Sequence, residues 1–191
     1  MKTVVLEQNE IYTGSLILVN AEYPLRSTPT DLAPAVTGFA DISMERCAVE
    51  QLQLILDEIG AGNMIVPVSG YRSKAEQTAI YENSLKQNGS DFTQKYVALP
   101  DHSEHQTGLC CDITDIYRNP KTQDECEATE TYQWLLAHCQ EYGFILRYPK
   151  GKEDVTGIIY EPWHFRYVGT EAAAYIMENG LCLEEFLALY N

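Results

Sequence analysis

Apolar residues return every three or four positions in MERCAVEQLQLILDEI (44–59), where Cys47, Ala48, Leu52, Ile55, Leu56 and Ile59 fall on one side of a helix. Gly60 is placed to stop it. A denser apolar run, MIVPVSG, predicts a strand that ends at Gly70. Ser73, with Glu76 three residues on, has the form of a capping box and opens a second helix through SKAEQTAIYENSLKQNG, closed by Gly89. A third helix is expected from about Glu130 to Tyr142, where Trp134, Leu135, Cys139 and Tyr142 recur at helical spacing before Gly143.

Shorter apolar runs read as strands: SLILVN (15–20), LCCDITDIY (109–117), FILRY (144–148) and WHFRYVG (163–169). The proline-rich AEYPLRSTPTDLAP should wander across the surface. The stretch from Asp91 to Glu104 is polar and irregular, as suits a loop lying across a site. PKGKEDVTG joins two strands as a turn-rich link, and Thr170 is expected to cap a final helical region through EAAAYIMENG and LEEFLALY. Helices and short strands alternate unevenly, and no strand is followed by a Gly-rich phosphate loop. The pattern predicts an α+β fold: one domain over residues 1–191, with a small, largely antiparallel sheet flanked by helices.

Charge narrows the partners. A formal net charge of −15 repels phosphate backbones and anionic membrane surfaces, and no basic patch offsets it, so neither nucleic acid nor a membrane is expected as a partner. The opening MKTVVLEQNEIYTG lacks the apolar core of a signal peptide, and SLILV is too short to span a bilayer. Six cysteines without an export signal and without a CxxC pair read as reduced thiols, which points to the cytoplasm.

Candidate chemistry centres on SEHQTGLCCD (103–112) and EPWHFRY (161–167). His105 and Asp112 would lie about 10 Å apart along a helix, or about 23 Å apart on opposite faces of a straight strand. If they cooperate, Gly108 must let the chain turn between them. Zinc in hydrolases takes three N and O ligands and leaves a position for water; His105, Asp112 and His164 would make such a set. Glu161, three residues before His164, stands where a general base would, provided Pro162 bends the chain; otherwise EPW is a turn and Glu161 is solvated. Arg72, at the end of a strand in SGYRS, is either a surface residue or a fork of donors for a carboxylate or an oxyanion. His102 reads as a loop residue, and His138 lies on the third helix.

Taken in order, SGYRSKAEQTAIY, SEHQTGLCCDI and EPWHFRYVG resemble the motifs of the zinc D-alanyl-D-alanine peptidases, and LILVNAEYPL resembles the segment that often precedes them. The likeness runs from about Leu16 to Gly169. It is strongest to the vancomycin-resistance group, VanX and VanY, and within that to the bifunctional VanXY type. The resemblance implies a D,D-peptidase fold of the hedgehog-like kind. It implies Zn²⁺ held by His105, Asp112 and His164, Glu161 as catalytic base and Arg72 as oxyanion stabiliser, with Ser103 and Gln77 binding substrate. The implied activity is hydrolysis of D-Ala-D-Ala and removal of the terminal D-Ala from cytoplasmic pentapeptide precursors. Small peptides ending in D-Ala are the implied partners. Two alternatives share the zinc core: an endolysin-like L-Ala-D-Glu peptidase and a non-catalytic recognition module. Cys110 and Cys111 depart from the pattern, where small or apolar residues are usual. A thiolate set through Cys111 is chemically open. Strand alternation puts Cys110, not Cys111, on the face of Asp112, and both are expected as buried packing.

Overall fold

Strand β4 (Cys110–Asp115) shows how one sequence serves two purposes. Its side chains alternate, so Cys111 and Ile113 enter the main apolar core while Cys110 and Asp112 face the other way. The computed structural model describes residues 13–35, 42–59, 65–115 and 118–190. Gly60 and the first twelve residues, with the signal-peptide reading made on them, lie outside these.

Among the described residues, β4 pairs antiparallel with β3 (Ile65–Ser69) on one side and β6 (His164–Tyr167) on the other. β5 (Phe144–Leu146) completes a four-stranded sheet in the order β3-β4-β6-β5. A bulge between Pro67 and Ser69 resets the β3 register, so that Ser69, Asp112 and His164 fall in one row across three strands. Helix α1 (Arg46–Ile59) closes one face of the sheet, where Ala48, Leu52 and Ile55 are essentially fully buried in a cluster with Cys111, Ile113, Phe144 and Phe165. Burying a side chain the size of Leu52 or Ile55 stabilises the fold by about 1.5–3 kcal/mol.

Helix α2 (Lys74–Asn88) starts as expected: the Ser73 hydroxyl accepts from the Glu76 N–H, and the Glu76 carboxylate accepts from the Ser73 N–H. Four short helices follow along the chain: α3 (Ser90–Tyr96), α4 (Gln123–Glu127), α5 (Glu130–His138) and α6 (Glu153–Thr156). Helices α7 (Thr170–Glu178) and α8 (Leu183–Ala188) build a second apolar cluster with Leu16, Leu18 and Ile145.

The α+β architecture with small antiparallel sheets is as the sequence predicts, but several elements differ. Leu16–Val19 are buried without pairing as a strand. Strands β1 (Leu32–Ala35) and β2 (Ile42–Glu45) form a separate antiparallel pair in and after the stretch expected to wander. The loop expected over 91–104 holds most of α3, and the third helix gives way to a 3₁₀ turn at Cys139. Gly169, not Thr170, is the N-cap of α7.

Candidate metal and catalytic site

Three donors converge where the sheet meets the turn over 103–108. Asp112 and His164 are directly opposed across β4 and β6, which puts them on one face, with His164 Nδ1 at 3.1 Å from Asp112 Oδ1. His105 arrives from a 3₁₀ turn (Glu104–Thr107), and its Nε2 lies 3.4 Å from Asp112 Oδ2. The hinge between the two approaches is Gly108, which ends that turn at φ 71°. A Cβ there would meet Leu32 Cδ2 at 3.0 Å and the Glu45 backbone nitrogen at 3.2 Å, so glycine is needed for space as well as for the left-handed backbone.

The two imidazoles stand edge to face, 5.0 Å between centroids. Their outer nitrogens are held from behind. His105 Nδ1 is 2.8 Å from the Gly70 carbonyl oxygen, and His164 Nε2 is 3.4 Å from Glu104 Oε2. The inward set is therefore N, O, N, the donor chemistry zinc takes in hydrolases, with outer partners that fix each ring as metal-binding histidines require. These residues fit the ion.

Burial works against the charged form of His105, but Cys110 and the Asp112 carboxylate outweigh it and push its pKa up to about 10. Burial alone would raise Asp112; the imidazoles hold it well below the usual carboxylate range. Cys110 belongs to this cluster: donor atoms of His105, Cys110 and His164 lie within 4.8 Å of one another. Burial pushes the Cys110 thiol up, but the two imidazoles bring it down to about 7. Cys111 faces the core, where burial pushes its thiol well up. Both cysteines are buried, as expected, but Cys110 borders the donor set, whereas Cys111 packs against carbon.

Glu161 occupies a bend at Pro162. Its N–H donates to Tyr148 O at 3.1 Å and its carbonyl accepts from the His164 N–H at 3.2 Å. That bend carries its carboxylate round to 3.7 Å from His164 Nδ1, and burial pushes its pKa up. Arg72 is fixed by its own neighbours: Nη1 donates to Gln77 Oε1 at 2.8 Å and Nη2 to Ser69 Oγ at 3.2 Å. Gln77 in turn donates from Nε2 to Ala98 O at 2.7 Å, so it ties Arg72 to the segment after α3. Arg72, Gln77, Ser103, His105, Asp112, Glu161 and His164 line a single cleft of about 570 Å³, walled by residues 94–99 and 156–159. His102 also lines it, its Nδ1 2.7 Å from Asn20 O. His138 is elsewhere, bonded to Glu141 and stacked on Trp134.

Sequence reasoning overlooked Glu104, Arg147 and Arg166, which form a buried ionic cluster behind His164. A signal was present. Each arginine interrupts a short apolar strand run, FILRY or HFRY, where a charge is costly to bury without a partner.

A model of the VanY family, D-alanyl-D-alanine carboxypeptidase, matches residues 41–170. The bifunctional D-Ala-D-Ala dipeptidase and carboxypeptidase VanXYC of Enterococcus gallinarum is 37% identical, over 91% of this chain and 93% of its own length. The crystal structure of the vancomycin-resistance D,D-dipeptidase VanXYg, in complex with a D-Ala-D-Ala phosphinate analogue, is 50% identical with a TM-score of 0.85, covering 96% of this chain and 74% of that one. VanY of a VanB-type resistance cassette, in complex with Zn(II), aligns at 34% identity and TM-score 0.77 over 91% and 98%. An LD-carboxypeptidase, LdcB, aligns at 37% and 0.82 over 90% and 84%.

Proposed function

Since the chain belongs to the VanY family of D-alanyl-D-alanine carboxypeptidases, and is an enzyme of that peptidase class, we propose that it is a zinc-dependent D,D-peptidase of the bifunctional kind. It hydrolyses D-Ala-D-Ala and removes the terminal D-Ala from cytoplasmic peptidoglycan pentapeptide precursors, contributing to vancomycin resistance. The observation that carries the reading is the meeting of His105 Nε2, Asp112 and His164 Nδ1 at 3.1–3.4 Å, with the Glu161 carboxylate beside them in one cleft. Among the described residues no helix is long and apolar enough to cross a membrane. We further propose that residues 1–191 act as one domain.

His105, Asp112 and His164 would hold the ion. Bound there, Zn²⁺ supplies Lewis acidity toward water and the scissile carbonyl. The chain's own groups do the rest. Glu161, its proton affinity raised by burial, takes the proton of the attacking water and delivers it to the leaving amine. Arg72 keeps N–H donors beyond the two used on Gln77 and Ser69, and these meet the negative charge that develops on the carbonyl oxygen. Gln77 and Ser103 border the substrate.

The test is D-alanine release from D-Ala-D-Ala, from a pentapeptide ending in D-Ala-D-Ala, from D-Ala-D-Ser and from a tetrapeptide with one D-Ala after an L-centre. Release from the first two, abolished by a chelator and restored by zinc, is expected. Release from the tetrapeptide alone would assign the chain to LD-carboxypeptidases instead.

A further inference from the structure

Glu104 lies inside the SEHQTG turn, between Ser103 and His105, with its side chain 1% exposed. Its Oε1 accepts from Arg147 Nε and from Arg166 Nη1, each at 2.7 Å, and both arginine side chains are fully buried. Arg147 also donates through Nη1 and Nη2 to the Glu184 carboxylate at 2.8 and 2.6 Å. Arg166 donates to the carbonyl oxygens of Ser15, Ile17 and Tyr167. Two carboxylates thus balance two guanidiniums. One Glu104 oxygen is anchored by two cations; the other, Oε2, lies 3.4 Å from His164 Nε2.

We propose that Glu104 is a positioning residue for the metal site: it accepts the Nε2 proton of His164 and so keeps Nδ1 of that ring bare and turned to Asp112. The inference rests on His164 being a ligand, as proposed above. A neutral imidazole carries one proton, and the partner of one nitrogen decides which nitrogen is bare. His105 meets the same need with the opposite nitrogen, through the Gly70 carbonyl at Nδ1. At His164 the partner is a carboxylate, whose charge also makes the ring a stronger donor to a metal.

The arginines explain why an amide would not serve at position 104. It would turn its oxygen to the two guanidiniums, since an NH₂ group facing them is repelled and left unpaired. That orientation presents the NH₂ to His164 Nε2, and a donor there drives the ring proton onto Nδ1, the atom that must stay bare.

Glu104→Gln tests this through zinc affinity, measured by competition with a chromophoric chelator, alongside urea unfolding of the metal-free protein. At least a tenfold loss of affinity is expected in a variant that folds; unchanged affinity in a folded variant overturns the proposal. Should Glu104→Gln fail to fold, the ring protons of ¹⁵N-histidine-labelled, zinc-loaded wild type decide. A slowly exchanging proton on His164 Nε2 supports the role, and zinc bound through Nε2 overturns it. His164→Ala provides the separation: full zinc affinity in that variant would sink the ligand assignment, while its loss together with unchanged affinity in Glu104→Gln would sink only the role of Glu104.

Discussion

His105 and His164 approach one carboxylate with opposite ring nitrogens, Nε2 to Asp112 Oδ2 at 3.4 Å and Nδ1 to Asp112 Oδ1 at 3.1 Å. The difference follows from where each ring is anchored: a backbone carbonyl holds Nδ1 of the first, and a carboxylate faces Nε2 of the second.

Removing either imidazole should therefore remove the metal. His105→Ala and His164→Ala are expected to purify with far less than one zinc per chain by elemental analysis. Stoichiometric zinc in both would mean that other donors, Cys110 first among them, hold the ion.

Glu161→Ala should separate binding from chemistry. The carboxylate lies beside the donor set without being one of its members, so the variant is expected to keep zinc while turnover falls by about 10²–10⁴-fold. Near-normal D-alanine release would end the base assignment.

Gln77→Ala removes the acceptor that fixes Arg72 Nη1 and frees the tie to Ala98. A guanidinium that wanders by about an ångström is expected to lower kcat by about 10–100-fold with zinc content unchanged. Equal kcat in a steady-state comparison would show that Ser69 alone holds Arg72.

Gly108→Ala introduces a side chain at positive φ and crowds Leu32 and the Glu45 backbone. A loss of about 1–3 kcal/mol in urea unfolding is expected, with weaker zinc binding because His105 shifts. An unchanged midpoint would show that the turn relaxes freely.

Much of this was legible in local pattern. The capping box of Ser73 and Glu76 is a four-residue rule, and the structure obeys it. The apolar spacing of α1 likewise marked Leu52 and Ile55 for the core. The pair β1 and β2 was hidden: each strand is four residues long, Pro34 weakens the strand signal, and only the partner completes the hydrogen bonding. Glu104 was hidden for a similar reason. A glutamate in a polar turn looks solvated until Arg147 and Arg166, 43 and 62 residues away, close around it.

By itself the sequence determined the α+β class, the chemical types gathered in its motifs and the place where the chain must turn, because these depend on spacing and side-chain chemistry along a few neighbouring residues. Tertiary structure alone decided the antiparallel register that sets Asp112 opposite His164, the nitrogen each histidine turns inward, and the approach of both imidazoles to Cys110. Those are fixed by groups remote in sequence, and desolvation makes their pairing obligatory only once the core has closed.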